Sequence, residues 1–166
     1  MRDVTIDALL SGLEATPLAQ EIRESIWLFP TLETIHILAL SVVVGAIGMF
    51  DLRLLGWRGR ARDAAELTRE LLPWTWSFFA LAAATGSLLF ASHAMTYGHN
   101  PPFLLKLCGI GLAGANMAAF HATTYRAIAQ WGRAAVPPLH ARLAGGISLA
   151  LWIAVVVAGR WIGFTT

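Results

Sequence analysis

The stretch Ile35-His-Ile-Leu-Ala-Leu-Ser-Val-Val-Val-Gly-Ala-Ile-Gly-Met-Phe50 carries no charge and is too apolar for a surface helix of a soluble domain. A membrane span needs about 20 mostly apolar residues, and this run reaches that length once its flanks are added. Working outward, three more blocks repeat the pattern: Thr75–Asn100, Leu107–Tyr125 and Leu143–Gly159. Apolar residues make up 57% of the 166-residue chain and charged residues only 13%, which argues against an ordinary soluble domain. The expected fold is all-α, a polytopic membrane protein built as a four-transmembrane-helix bundle. Its spans fall at about 27–52, 73–98, 102–128 and 139–163, within a single membrane domain over roughly 1–166.

Residues 1–26 read differently. Asp3, Asp7 and Glu14 stand where a signal peptide would carry a basic segment and an apolar core. Ile6, Leu9, Leu10 and Leu13 recur at helical spacing. Thr16-Pro17 then opens a second helix, with Leu18, Ile22 and Ile26 expected on one face. The pattern predicts N-terminal amphipathic helices lying in the membrane interface.

Turn chemistry sets the rest of the frame. Gly98-His-Asn-Pro-Pro102 makes a tight loop with proline at a helix start, where its missing N–H costs nothing. Val136-Pro-Pro138 does the same before the fourth helix, Pro30 falls in the first turn of helix 1, and Pro73 is expected to start helix 2. Eight of the twelve basic residues gather on one side: Arg53, Arg58, Arg60, Arg62 and Arg69 after helix 1, and Arg126, Arg133 and Arg142 after helix 3. Arg2, Arg23, Lys106 and Arg160 take the other. The positive-inside rule then places the arginine loops in the cytoplasm and both termini in the periplasm of a bacterial cytoplasmic membrane. Topology accounts for these arginines, so no nucleic-acid partner is expected. The single Cys108 excludes an intramolecular disulfide and reads as packing.

Five histidines carry the chemistry. Ionisable side chains at membrane depth are costly and usually face a bundle interior. His36, His93, His121 and His140 fall on four different spans, an arrangement suited to axial ligation of haem. At 1.5 Å per residue, His36 and His93 differ in depth by only about 6 Å, whereas His36 and His121 differ by roughly 15 Å. Depth therefore pairs His36 with His93 near one face and His121 with His140 near the other. Gly86 lies seven residues before His93 and Gly114 seven before His121, so each glycine shares its histidine's face. They would clear space for haem or serve close helix packing. Glu33 and His36 form an i, i+3 pair in which the carboxylate would orient the imidazole. Lys106 would neutralise Glu33 or a haem propionate, or form a buried ion pair with Glu33. His99 reads as a solvated loop residue.

Copper is the rival metal, with His36, His93, His99 and Met95 toward one face. Four methionines without Met-x-x-Met spacing weigh against it. The expected function is a b-type haem protein carrying electrons within or across the bilayer, with one or two haems. Its partners would be lipid, a quinol or a redox protein, and the bundle is compatible with a homo-oligomer. A cofactor-free structural subunit whose histidines merely hydrogen-bond between helices is the plain alternative.

Trp27-Leu-Phe-Pro-Thr-Leu-Glu33-Thr-Ile-His36, Asp51-Leu-Arg-Leu-Leu-Gly56 and Asn100-Pro-Pro-Phe-Leu-Leu-Lys106 together resemble a family of small bacterial four-helix integral membrane proteins of uncharacterised activity. More distantly, a histidine in helix 1 with a lysine opening a later helix is similar to HemJ-type protoporphyrinogen oxidases. That resemblance implies haem or porphyrin contacts at His36 and Lys106. The bundle also resembles the membrane domain of copper-resistance D proteins, which implies copper handling. The spacing from Lys106 to His121 departs from the first and the thin methionine supply from the second.

Overall fold

Four helices are long and apolar enough to cross a membrane. They are α3 (Leu28–Leu54), α4 (Ala64–Ser92), α6 (Pro101–Ala122) and α8 (Leu139–Thr165). Ahead of them lie α1 (Arg2–Glu14) and α2 (Pro17–Glu24). The short α5 (Ala94–Gly98) follows α4, and α6 runs on through a 3-10 turn (Thr124–Ala127) into α7 (Ile128–Trp131). The computed structural model describes residues 2–57 and 63–165, so Arg58, Arg60 and Arg62, counted above among the loop charges, lie outside the described residues. No strand occurs among the described residues, and the architecture is the expected all-helical bundle of candidate membrane spans.

The long helices alternate in direction, and two side-chain contacts fix the ends. Asn100 Nδ2 donates to Thr165 Oγ1 at 2.9 Å, which brings the α5–α6 turn to the C-terminal end of α8. At the opposite end Arg53 Nη2 donates to the carbonyls of Gly132 (2.7 Å) and Ala134 (3.1 Å). These are called below the terminal end and the loop end. In between, α3 packs on α4 and α8, and α6 packs on α8. Val43, Ala113, Trp152 and Val155 form the buried centre, with a second cluster of Leu54, Phe120 and Ala141 toward the loop end. Leu38, Leu105, Leu112, Ile153 and Val156 remain exposed on the outside, as expected for a surface solvated by acyl chains. Cys108 is exposed on α6 as well, facing outward rather than packing in the core.

Asp51-Leu-Arg-Leu-Leu-Gly56 builds the end of α3. Gly56 adopts φ 90°, a left-handed conformation that only glycine takes without strain. Its N–H bonds the Arg53 carbonyl and that of Trp57 bonds Leu52, the two reverse bonds of a Schellman cap. Arg53, expected in a solvated loop, sits in the last turn and is 4% exposed. The carbonyls of the facing loop draw it inward.

Helix α4 departs furthest from expectation. It begins at Ala64 and carries Pro73 in its interior rather than at its start. The start is set by Asp63, whose side chain accepts from the Ala65 N–H at 2.9 Å and from Arg133 Nε at 3.0 Å. A strong cap ten residues upstream thus outweighs the one backbone hydrogen bond that Pro73 forgoes. The Ala65 N–H first, then Arg133, holds the Asp63 carboxyl below the usual carboxylate range. A depressed folded-state value means the carboxylate stabilises the fold at neutral pH, and that contribution is lost as pH falls through the folded value. Asp63→Ala is expected to cost about 1 kcal/mol at pH 7 and progressively less below about pH 4, read from thermal unfolding in detergent.

The N-terminal helices do form, and they dock on the bundle instead of presenting one continuous apolar face. Ala19 and Ile22 are buried, while Leu18 and Ile26 are exposed. Glu14 ties the pair down: it accepts from Arg23 at 3.2 Å and from the Met95 N–H at 2.9 Å. Arg23 also donates to the Ser92 carbonyl.

Candidate functional site

His36 lies on the face of α3 that meets α4. Its ring Nδ1 is 2.9 Å from the Ala82 carbonyl oxygen and 3.0 Å from Thr85 Oγ1. A carbonyl oxygen can only accept, so Nδ1 carries the proton and the neutral ring keeps its lone pair on Nε2. Thr85 Oγ1 donates back along its own helix to Leu81. The ring rests on Gly86, where a Cβ would lie 2.8 Å from His36 Cε1. Gly86 therefore makes room for the imidazole of His36 and not for a larger ring beside His93.

Lys106 enters α6 close enough for its charge to act on His36, and its stem lies along Gly159 of α8. Glu33 is exposed and does not orient His36; the Ala82 carbonyl and Thr85 do that instead. Its carboxylate acts on Tyr97, whose phenol is pushed above its usual value by burial and secondarily by Glu33. Tyr97 stacks on Phe103, and Phe103 on Phe90, closing the terminal end with an aromatic layer.

His93 does not share the depth of His36. His93 interrupts the helix between α4 and α5 with φ −141° and ψ 46°, its Nδ1 3.0 Å from Ser92 Oγ. Phe29 meets its ring edge-on at 5.4 Å. His36 stands level with Gly86, seven residues deeper, which is about 10 Å along the helix. His93, expected five residues inside its helix, stands where α4 ends. At the loop end His121 lines a cavity between α3, α4, α6 and α8, with Nδ1 2.9 Å from its own helix's Met117 carbonyl. His140 is exposed and lines a separate groove between α6 and α8. His99, expected to be solvated, lies 3.0 Å from Asp7 of α1.

That cavity holds about 290 Å³ and is walled mainly by apolar side chains, among them Phe50, Leu71, Phe79, Met117 and Trp152. Gly114 and His121 both line it, and a Cβ on Gly114 would meet nothing within 4 Å. Asp51, Asn116 and Ser148 also reach it, as do Thr68 and Thr75, whose hydroxyls donate back to the Ala64 and Leu71 carbonyls of their own helix. Asp51 is 3% exposed, which the sequence did not announce because an aspartate one turn before a helix end reads as a solvated charge. Among the described residues no three His, Cys, Asp or Glu side chains gather as a metal site.

No curated protein and no solved structure matches the chain. Residues 27–165, from the tryptophan before α3 to the end of α8, match a family of unknown function, DUF6644, and the chain belongs to that family.

Proposed function

We propose that this chain is a b-type haem protein of the bacterial cytoplasmic membrane that passes electrons between a quinol and a partner redox protein, with both termini periplasmic. The observation that carries this reading is the clamp on His36. Histidines that bind metal usually donate their other ring N–H to a carbonyl or carboxylate, which fixes tautomer and orientation. Ala82 provides that carbonyl, leaving Nε2 available inside an apolar bundle. Lys106 supplies a cation beside it, suited to a propionate. Haem, when bound, would supply the one-electron couple, and the surrounding apolar side chains would exclude water from it. His36 is the one protein ligand this geometry favours, because His93, His121 and His140 lie elsewhere. Haem needs only one or two protein ligands, which suits these scattered histidines better than a bare copper ion. The orientation rests on Arg69, Arg126, Arg133 and Arg142 toward the loop end.

The test is the oxidised and dithionite-reduced absorption spectrum of protein purified in detergent from haem-replete cells. About one haem per chain with a clear Soret band is expected, with the band lost in His36→Ala and kept in His140→Ala. Colourless wild-type protein would remove the proposal.

A further inference from the structure

The cavity toward the loop end contains something a plain packing defect would lack. Empty cavities in proteins are lined by apolar atoms, whereas buried polar atoms are nearly always paired. Asp51 departs from that rule. The Ser148 hydroxyl hydrogen-bonds its carboxylate, yet Oδ2 is buried with no partner. An unpaired buried carboxylate oxygen calls for a donor that comes from outside the protein.

The other polar atoms narrow the chemistry of that donor. Asn116 spends one N–H on the Ala144 carbonyl at 3.0 Å, leaving its other N–H as a donor and its own carbonyl oxygen as an acceptor. His121 Nδ1 faces the Met117 carbonyl, so the neutral ring offers only the lone pair on Nε2. Asp51, Asn116 and His121 thus line one apolar cavity and all three present acceptors. A ligand that satisfies the Asp51 oxygen brings a hydrogen-bond donor on an otherwise apolar body. At about 290 Å³ the cavity lies just under the range of drug-sized ligand pockets, about 300 to 1,000 Å³, and suits a single ring. Helix α4 packs on α3 and α6 on α8, and residues of both α4 and α6 line the cavity.

We propose that this cavity binds the dihydroxy ring of a lipid-soluble quinol, with a hydroxyl donated to Asp51 Oδ2. The proposal names the electron donor of the haem reading and rests on that reading only for where the electrons go next. A quinone, which has carbonyl oxygens in place of the hydroxyls, has no hydrogen to give Asp51 Oδ2 and binds more weakly.

Anaerobic calorimetric titration of the purified protein in nanodiscs with decylubiquinol, and separately with decylubiquinone, reads this directly. Saturable quinol binding is expected, with the quinone weaker by about tenfold or more. Asp51→Asn keeps the shape and replaces an acceptor oxygen with N–H donors, so the preference for quinol should shrink to near parity. Gly114→Phe fills open space rather than displacing a neighbour, so it should fold and bind neither ring, with circular dichroism confirming the helices. His36→Ala should lose haem and leave the titration unchanged, which separates failure of this site from failure of the haem reading. No saturable binding, equal affinity for quinol and quinone, undiminished binding in Gly114→Phe, or a retained phospholipid that quinol does not displace would each overturn the proposal.

Discussion

Gly145→Leu is expected to destabilise the bundle by about 3 kcal/mol, the upper part of the range for overpacking a well-filled interface. A Cβ at this position would lie 2.8 Å from Leu54 Cβ and 3.0 Å from the backbone oxygen of Asp51. Neither atom is the free end of a flexible side chain, so α8 itself must move away from α3. Small residues allow this kind of close approach between membrane helices, and here one glycine sets the spacing of a whole pair. The comparison that isolates the effect is Gly111→Ala, where nothing lies within 4 Å and no loss is expected. Gly109→Ala falls between them, since its one close neighbour is a methyl group of Val155 at 2.8 Å. Thermal unfolding in detergent should rank the three substitutions in that order. Equal midpoints for Gly145→Leu and Gly111→Ala would show that α3 and α8 do not pack as described.

Arg53→Ala carries the second large effect, a loss of about 3 kcal/mol. The guanidinium is buried and donates to two carbonyls, those of Gly132 and Ala134, so its removal takes a charged donor from each, although the Ala64 N–H still serves Gly132. It also unties the end of α3 from the segment that leads into α8. Arg53→Lys should recover less than half of the loss, because the lysine ammonium is more strongly hydrated and its shorter stem stops short of the point from which Nη2 serves both carbonyls. Limited proteolysis between α7 and α8 gives an independent reading, with cleavage rising in Arg53→Ala and falling partway in Arg53→Lys. Full recovery by lysine would mean that charge alone matters there.

Much of the frame was legible in the sequence for a simple reason. A bilayer demands long uncharged runs, and prolines at Pro101 and Pro137-Pro138 mark where those runs start. What periodicity could not show was depth across helices. His93 follows the same apolar block as its neighbours, and only the break at its own backbone reveals that the helix ends there. Pro73 misled in the opposite sense, because the cap at Asp63 nucleates the helix nine residues earlier. The partners of His36 were invisible for another reason: a backbone carbonyl such as that of Ala82 has no sequence signature. Thr85-Gly86 was the available signal, a hydroxyl beside a missing side chain on the facing helix. Asp51 and Arg53 were quoted as parts of a motif, but their burial depends on α6, α7 and α8, which no local pattern encodes.

The most direct test of the central claim is chemical rescue at His36. His36→Gly protein should be purified with and without imidazole in the growth medium and buffers, and its reduced spectrum compared with that of His93→Gly. The account predicts that His36→Gly is colourless, that imidazole restores its haem band, and that His93→Gly keeps the band unaided. Haem retained in His36→Gly without imidazole, or lost equally from both variants with no rescue, would contradict it.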